Sequence, residues 1–347
     1  MNAALVAVQL AIDEEVLASA ERYRGHLETA GAIAADLAGG TDARLIVFPE
    51  CAGHLALYAL SPPAAHRSRT LAAALARGAV RRPLEVLRGV ATSRVLHPRH
   101  AVLAAVAPDG ERFWRAVFAP MARRHAAYVV AGSHLRLGPD GDVTNASLLF
   151  GPDGRCLATT DKVNLVPGVE DGAPGGLGLA RGDADAAPLV DTALGRVATL
   201  IGYDAAAEPH TQAERFTAMG ERLARRGGVA VVANPAAQSL SRASPRGRAD
   251  ALDAPAIIGS PSGLRLSGED RRVAAGARRD GLRASLAANA FARFGITAQL
   301  VGSVLDLTFE GASEVVECRD RDVRSLARAA HGDRADHVVA RIACERC

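Results

Sequence analysis

The sequence has almost no lysine. Lys162 is the single lysine in 347 residues, although Lys and Arg together number 41. Lysine ends in a compact ammonium and arginine in a planar guanidinium, so the two do not replace each other freely where space is limited. Composition alone leaves two explanations open: Lys162 is an accident of a biased sequence, or its position requires an ammonium.

The sequence also lacks a long hydrophobic run. Its apolar segments are far shorter than the roughly 20 residues of a membrane-spanning helix, although 49% hydrophobic residues suffice for a large core. The first apolar segment has no basic stretch before it and soon meets Asp13, a poor match to a secretory signal peptide. Five cysteines without disulfide-like spacing favour a reducing environment. We therefore expect a cytoplasmic protein that does not partner a membrane.

Features of several other function classes are missing. The formal net charge of +3 is too small to indicate nucleic acid as the main partner. No glycine-rich phosphate loop of the Walker type is present. Cys344 and Cys347 have a metal-like spacing, but a structural zinc site needs about four ligands. The sequence therefore predicts no metal, no cofactor and no nucleic acid.

Strands and helices alternate along the chain, which predicts an α/β fold with two sheets covered by helices. Among these elements, 100–108 is predicted to be a strand and 112–125 a helix, and Asp13 is predicted to cap the first helix. We find no internal repeat, and expect one domain over 1–320 with a long loop at 239–280. Residues 321–347 form a C-terminal extension.

Three strand ends carry residues that are suited to chemistry. Glu50 follows the segment LIVFP, Lys162 follows CLATTD, and the turn GYD at 202–204 follows VATLI. Functional sites of α/β folds lie at the carboxyl ends of strands. These three positions are therefore the candidates for one common site.

The three motifs resemble those of the nitrilase superfamily, the carbon–nitrogen hydrolases. FPE ends at Glu50, KVNLVPGVE runs from Lys162 to Glu170, and LIGYD contains Gly202 and Tyr203. The resemblance covers residues 1–320 and implies a four-layer αββα sandwich that forms a homodimer or a higher homo-oligomer. It also implies hydrolysis of a small amide, carbamoyl or nitrile substrate without a cofactor.

The resemblance further implies a role for each motif residue. Glu50 would be the general base, and Lys162 would stabilise the oxyanion with the backbone N–H of Tyr203. Glu170 would be a second carboxylate that positions the lysine or the substrate. A buried lysine between two carboxylates stays charged, and this role explains why Lys162 is not an arginine.

The sequence departs from the family pattern at the nucleophile. Family members carry a reactive cysteine where this chain has Gly202, and glycine has no side chain that could attack a substrate. Asn164 also replaces the usual histidine. Cys51 is adjacent to Glu50, and strand alternation predicts that its side chain faces away from that carboxylate.

Three explanations for Gly202 stay open. The protein is a natural pseudoenzyme that binds a ligand or serves as an assembly partner, or it is an altered copy of an active enzyme. Alternatively, Glu50 activates a water in place of the thiol. The implied enzyme is thus an amidase- or nitrilase-type hydrolase, impaired as it stands. His54, four residues after Glu50, is a further candidate for contact with the ligand.

Overall fold

The computed structural model describes residues 1–80, 83–84, 86–87, 98–173, 176–209, 213–241 and 281–343. The candidate loop at 239–280 therefore lies almost wholly outside the described residues, as do Cys344 and Cys347. The described helices are α1 (Ala20–Leu37), α2 (Ala52–Ala59), α3 (Leu71–Ala79), α4 (Pro98–Arg124), α5 (Met219–Arg225) and α6 (Gly281–Asn289).

The strands share two features: most are short, and most are buried. They are β1 (Asn2–Ile12), β2 (Ala43–Val47), β3 (Tyr128–Val130), β4 (His134–Leu137), β5 (Val143–Phe150), β6 (Cys156–Asp161), β7 (Leu189–Thr192), β8 (Gly195–Thr199), β9 (Val229–Ala236), β10 (Ser239–Ser241), β11 (Ala292–Val304), β12 (Leu307–Phe309), β13 (Glu314–Arg319), β14 (Asp322–Arg328) and β15 (Asp336–Ala343).

The main run of paired strands is β4-β5-β3-β2-β1-β11-β9-β8-β7. Parallel pairs join β2 to β1 and β3, and join β9 to β8 and β11. β1 and β11 pair only at their ends, from Leu10 with Leu300 to Ile12 with Gly302. This short junction lets the run fold back, so that its two halves face each other.

Three hydrophobic clusters separate four layers. The first packs α1, α2 and α4 against the outer face of the β1–β2–β3 sheet. The second lies between the sheets and joins Leu5 and Leu45 to Val231 and Ile296. The third packs α5 and α6 against the outer face of the β8–β9–β11 sheet. The αββα sandwich predicted from the resemblance is confirmed.

The alternation of β1 shows how sequence builds these layers. Val6 and Val8 belong to the outer cluster beneath the helices, whereas Leu5 and Ala7 belong to the cluster between the sheets. Successive side chains of a strand point to opposite faces. Because both faces of β1 are covered, the strand is apolar from Ala3 to Val8 and lacks the alternating polar positions of a half-exposed strand.

Two local predictions were wrong. Residues 100–108 belong to the helix α4, not to a strand. A short buried apolar run fits a strand or a helix equally well, and here Leu103 and Ala107 pack into a core cluster with Leu135 and Leu165. The first helix is capped by Ser19 rather than by Asp13, whose carboxylate instead accepts the backbone N–H of Val16 in a turn.

The chain beyond residue 320 continues the sheets. β13 and β14 form an antiparallel hairpin across that limit, and β15 pairs antiparallel with β1 from Asn2–Ala343 to Gln9–Asp336. The domain limit at residue 320 stays a prediction. Earlier in the chain, β5 and β6 form an antiparallel hairpin around the GPDG turn at 151–154.

No described helix combines the length and the apolar character that crossing a membrane would require.

Candidate active site

Glu50 lies just beyond the carboxyl end of β2, at the turn that leads into α2. A close backbone contact supports this turn: a Cβ on Gly132 would lie 2.1 Å from the carbonyl oxygen of Pro49. The turn is thus packed directly against the end of β3. The side chain of Glu50 is only 5% exposed, so its carboxylate is fixed within the protein.

Lys162 is the first residue after β6, and its backbone N–H donates to the carbonyl oxygen of Asn145 on β5 (2.8 Å). Its side-chain ammonium lies between two carboxylates, with Nζ 2.8 Å from Glu50 Oε1 and 2.6 Å from Glu170 Oε2. The lysine side chain is 2% exposed. The single lysine of the sequence therefore lies at the centre of a buried ionic cluster.

Asn145 joins the two carboxylates and was missed by the sequence analysis. Its Nδ2 donates to Glu50 Oε1 (3.1 Å) and to Glu170 Oε1 (3.0 Å). Its Oδ1 lies 3.2 Å from His54 Nε2, which acts as the donor in this pair because Oδ1 can only accept. Every residue of its strand, VTNASLLF, is buried, and the sequence alone contained no signal that Asn145 joins the site.

The two carboxylates have different environments. Burial raises the pKa of Glu50 above its usual range, and the charge of Lys162 offsets only part of this effect. Burial acts on Glu170 as well, but Lys162 and the backbone N–H of Val166 (2.9 Å) outweigh it and lower the pKa. Glu170 is therefore the permanent counter-ion, and Glu50 is the stronger base.

The pKa values of Lys162 and His54 are shifted in opposite directions. Burial alone would lower the pKa of Lys162, but the charges of Glu170 and Glu50 outweigh burial and raise it. Burial lowers the pKa of His54 to about 4. At neutral pH the cluster therefore holds one cation and no imidazolium.

Gly202 follows β8 and begins a 3-10 turn, Gly202–Ala205. Its φ of +49° is in the left-handed region, which favours glycine. A Cβ at this position would lie 2.1 Å from Glu50 Oε2 and 2.8 Å from Glu50 Cδ. The Glu50 carboxylate therefore occupies space that any side chain at position 202 would need.

Asp204 ties the turn at Gly202 to the loop that follows Lys162. Its carboxylate accepts the backbone N–H groups of Asn164 (2.6 Å) and Val163 (3.2 Å). Burial raises the pKa of Asp204 to about 7, and the two backbone donors limit the rise. The buried carboxyl group of Asp204 therefore connects the turn at Gly202 to the loop after Lys162.

Tyr203 and Asn164 have clear structural contacts. The Tyr203 hydroxyl donates to Glu214 Oε2 (2.5 Å), and its ring lies 5.4 Å from that of Phe216. Asn164 exchanges two hydrogen bonds of 2.8 Å with the backbone of Thr217, and so fastens the loop after Lys162. The oxyanion role of the Tyr203 N–H stays a prediction.

A cavity of about 230 Å³ opens onto the cluster. All five residues predicted for the site line it: Glu50, Lys162, Glu170, Gly202 and Tyr203. His54 lines it as well, and apolar side chains such as Leu103, Leu135 and Val169 form part of its wall. An apolar pocket with a few convergent polar groups is the usual form of a small-molecule site.

The direction predicted for the Cys51 side chain stays a prediction, because this residue packs against the outer cluster and also lines the cavity. β2 ends at Val47, so Cys51 is not a strand residue and strand alternation does not apply to it. It adopts a left-handed conformation (φ 62°) at the N-terminus of α2 and lines the same cavity as Glu50. Burial, with Glu50 and Glu170, raises the pKa of its thiol. Cys51 is near the cluster but is a poor nucleophile.

No group of three or more potential metal ligands occurs among the residues that the structure describes. The pair Cys344 and Cys347 lies outside them, so its metal-like spacing is not addressed by this observation.

Comparison with known proteins agrees with the fold and the motifs. Among curated proteins, none matches the chain. A structure of a carbon-nitrogen hydrolase from Helicobacter pylori G27 is similar with a TM-score of 0.60 at 16% identity, over 98% of this chain and 88% of that one. An amidase from Nesterenkonia sp. is similar with a TM-score of 0.56 at 19% identity, over 99% and 90%. At these identities the likeness shows the fold alone.

The sequence model of the carbon-nitrogen hydrolase family matches residues 4–208, which is more than half of the 347 residues. The matched segment contains every residue of the ionic cluster, together with Gly202 and Tyr203. The chain therefore belongs to the carbon-nitrogen hydrolase family.

Proposed function

We propose that this protein binds a small amide, carbamoyl or nitrile ligand in the cavity above Glu50, Lys162 and Glu170, and that it forms no thioester with it. The observation that carries the proposal is the ammonium of Lys162, buried between two carboxylates at the end of an open cavity. Thioester formation needs a thiol at the elbow, and Gly202 has none.

The stability of the fold does not require such a cluster. Burying an ion pair costs desolvation energy that its mutual attraction often fails to recover, so apolar side chains of similar volume stabilise a protein at least as well. A buried cluster with perturbed pKa values that faces a cavity is typical of a functional site. Ligand binding therefore explains the arrangement better than a purely structural role.

The polar groups match one ligand class. The ammonium of Lys162 has three N–H donors, and two of them are used by Glu50 and Glu170. The third can donate to a carbonyl oxygen or a nitrile nitrogen. Glu50 can accept an N–H from an amide or carbamoyl group. A ligand carboxylate would add a third negative charge, so we expect acids to bind more weakly than the corresponding amides.

Calorimetry and thermal unfolding with matched series of primary amides, N-carbamoyl amines, nitriles and carboxylates test the binding. We expect saturable binding in at least one of the first three series, and loss of binding in Glu170→Gln. Glu317→Gln removes an ion pair with Arg293 at a residue that does not line the cavity, and it is the matched control. Mass spectrometry of the acid-quenched mixture should show no acyl adduct.

If no series binds, the cavity is not a ligand site, and the second candidate function replaces the first. In that case the protein is an assembly partner built on the same fold. Pairing of two copies into a homodimer stays part of the proposal, and light scattering after gel filtration tests it independently of ligand binding.

A further inference from the structure

We propose that the protein hydrolyses a primary amide or carbamoyl group by direct attack of a water held by Glu50 Oε2, with no acyl-enzyme intermediate. This inference rests on the proposed binding function and adds an activity to it. It follows from the free oxygen of Glu50, the position of its carboxylate over Gly202 at the cavity and the remaining N–H of Lys162.

Three of the four carboxylate oxygens in the cluster accept hydrogen bonds. Glu50 Oε1 accepts from Asn145 and Lys162, and both oxygens of Glu170 accept from neighbours. Among the described residues, no donor reaches Glu50 Oε2. A buried carboxylate oxygen without a donor is costly, so this atom is suited to a donor that comes from the cavity, such as water.

The carboxylate of Glu50 can take its position because residue 202 is glycine. Glu50 Oε2 lies 2.1 Å from the point where a Cβ of residue 202 would be, so the carboxylate already reaches over the Gly202 backbone. Glu50 and Gly202 both line the 230 Å³ cavity. A water needs only about 10–15 Å³ of such volume, so the cavity that Glu50 lines is large enough to hold one.

The cluster separates the base from the counter-ion. A general base works best when its pKa approaches the working pH, and burial moves the pKa of Glu50 in that direction. Glu170 has a lowered pKa and keeps Lys162 charged. Two carboxylates in different environments can thus take different roles.

The proposed reaction balances in two proton transfers. The water oxygen forms a bond to the carbonyl carbon as its proton passes to Glu50 Oε2, and Lys162 donates to the oxygen that becomes negative. The C–N bond then breaks, and the proton passes from Glu50 to the nitrogen, which leaves as ammonia. The products are the acid, or carbamate from a carbamoyl group, and ammonia. Glu50 returns to its starting state without any co-reactant.

The experiment measures ammonia released from primary amides that bind in calorimetry. We expect slow turnover by the unmodified protein, and at least a 100-fold lower rate in Glu50→Gln, in line with a general base worth roughly 10²–10⁴-fold. Gly202→Ala should also lose activity, because its methyl group displaces the carboxylate. Protein quenched in acid during turnover should carry no acyl adduct.

A second measurement does not depend on the folding of these variants. In the unmodified protein the rate should fall as the pH is lowered, with a midpoint above 4.5, the ordinary pKa of a glutamate. Glu50→Asp withdraws the carboxylate by one methylene and should lower kcat while its acid limb remains. Asp204 has a raised pKa of about 7 and titrates in the same range, so a limb that persists in Asp204→Asn belongs to Glu50, and a limb that disappears in that variant overturns the assignment.

Each result decides the proposal. Binding without ammonia release above the Glu50→Gln level overturns this inference and leaves the binding function intact. An acyl adduct on a cysteine during turnover also overturns it, since a thiol would then be the nucleophile. Absence of binding for every amide and carbamoyl compound overturns the inference, and absence of binding for the nitriles as well overturns the proposed function.

Discussion

The carboxylate of Glu50 lies against the backbone of Gly202, with Oε2 2.1 Å from the position that a Cβ would take. The position of the Glu50 carboxylate, the proposed base, is therefore possible only while residue 202, the nucleophile position, has no side chain. Any side chain at position 202 forces Glu50 to move, and the φ of +49° adds backbone strain. Two independent features thus favour glycine at this point.

Gly202→Ala is expected to destabilise the protein by about 2–5 kcal/mol, which combines roughly 1–2 kcal/mol for a left-handed alanine with overpacking of about 1–3 kcal/mol. Gly40→Ala separates the two effects, because Gly40 has a φ of +75° and no atom within 4 Å of its Cβ position. Urea denaturation measures both. Equal losses in the two variants would show that Glu50 moves aside at no cost.

Lys162→Met is expected to destabilise the protein by about 3–5 kcal/mol at neutral pH, because two buried carboxylates lose their cation. The loss should shrink under acidic conditions, where the carboxylates can take up protons.

Lys162→Arg should weaken ligand binding despite its charge, because the guanidinium is larger than the space occupied by the ammonium.

The control for Lys162→Met is Arg196→Met. Arg196 pairs with Asp191 at the surface, and the two side chains are 46% and 84% exposed. Exposed pairs contribute about 0–1 kcal/mol. If the two variants lose similar stability in urea denaturation at pH 7, Lys162 does not balance the two buried carboxylates.

The site residues that follow the ends of strands could be predicted from the sequence. Glu50, Lys162 and Gly202 each follow a predicted strand, so the sequence places them at one edge of the sheets. Their convergence on one cavity follows from that placement. The predicted site residues Glu170 and Tyr203 line the same cavity, whereas their roles stay predictions.

The unpredictable part depends on single dihedral angles and on tertiary packing. Asn145 lies inside a strand, and only the direction of its side chain brings it between two carboxylates. Cys51 reaches the cavity because β2 ends at Val47 and one residue adopts a positive φ. The position of the Glu50 carboxylate over Gly202 depends on side-chain angles that no spacing rule contains.

Asp204→Asn should change how stability depends on pH. The folded pKa of Asp204 is about 7, above the ordinary value of 3.8, so the folded protein binds more protons than the unfolded chain between these values. The contribution of Asp204 to stability is therefore fully present below pH 3.8 and is lost as the pH rises toward 7. The loss is at most about 1.4 kcal/mol per pH unit.

Asparagine has no proton to release, and its Oδ1 can still accept the N–H of Asn164. The free energy of unfolding of Asp204→Asn should therefore fall less steeply than that of the unmodified protein between pH 4.5 and 7. Asp191→Asn, at an exposed position, should leave the slope unchanged. Parallel curves for Asp204→Asn and the unmodified protein would rule out a raised pKa for Asp204.

Thiol labelling reports on the cavity directly. Cys156 is exposed at the start of β6, whereas Cys51 lines the cavity and has a pKa raised by burial and by Glu50. Because the thiolate is the reactive form, N-ethylmaleimide at pH 8 should label Cys156 at least about ten times faster than Cys51. Peptide mass mapping over time separates the two sites.

A bound primary amide should slow the labelling of Cys51, since both would share the cavity, and should leave Cys156 unaffected. The thiol introduced by Gly202→Cys is a second reporter, because position 202 lines the cavity, and it should be protected in the same way once its side chain has displaced the Glu50 carboxylate. Protection of the introduced thiol alone would mean that the ligand does not extend to Cys51. If neither is protected by an amide that binds in calorimetry, the ligand occupies another part of the molecule, and the assignment of this cavity is wrong.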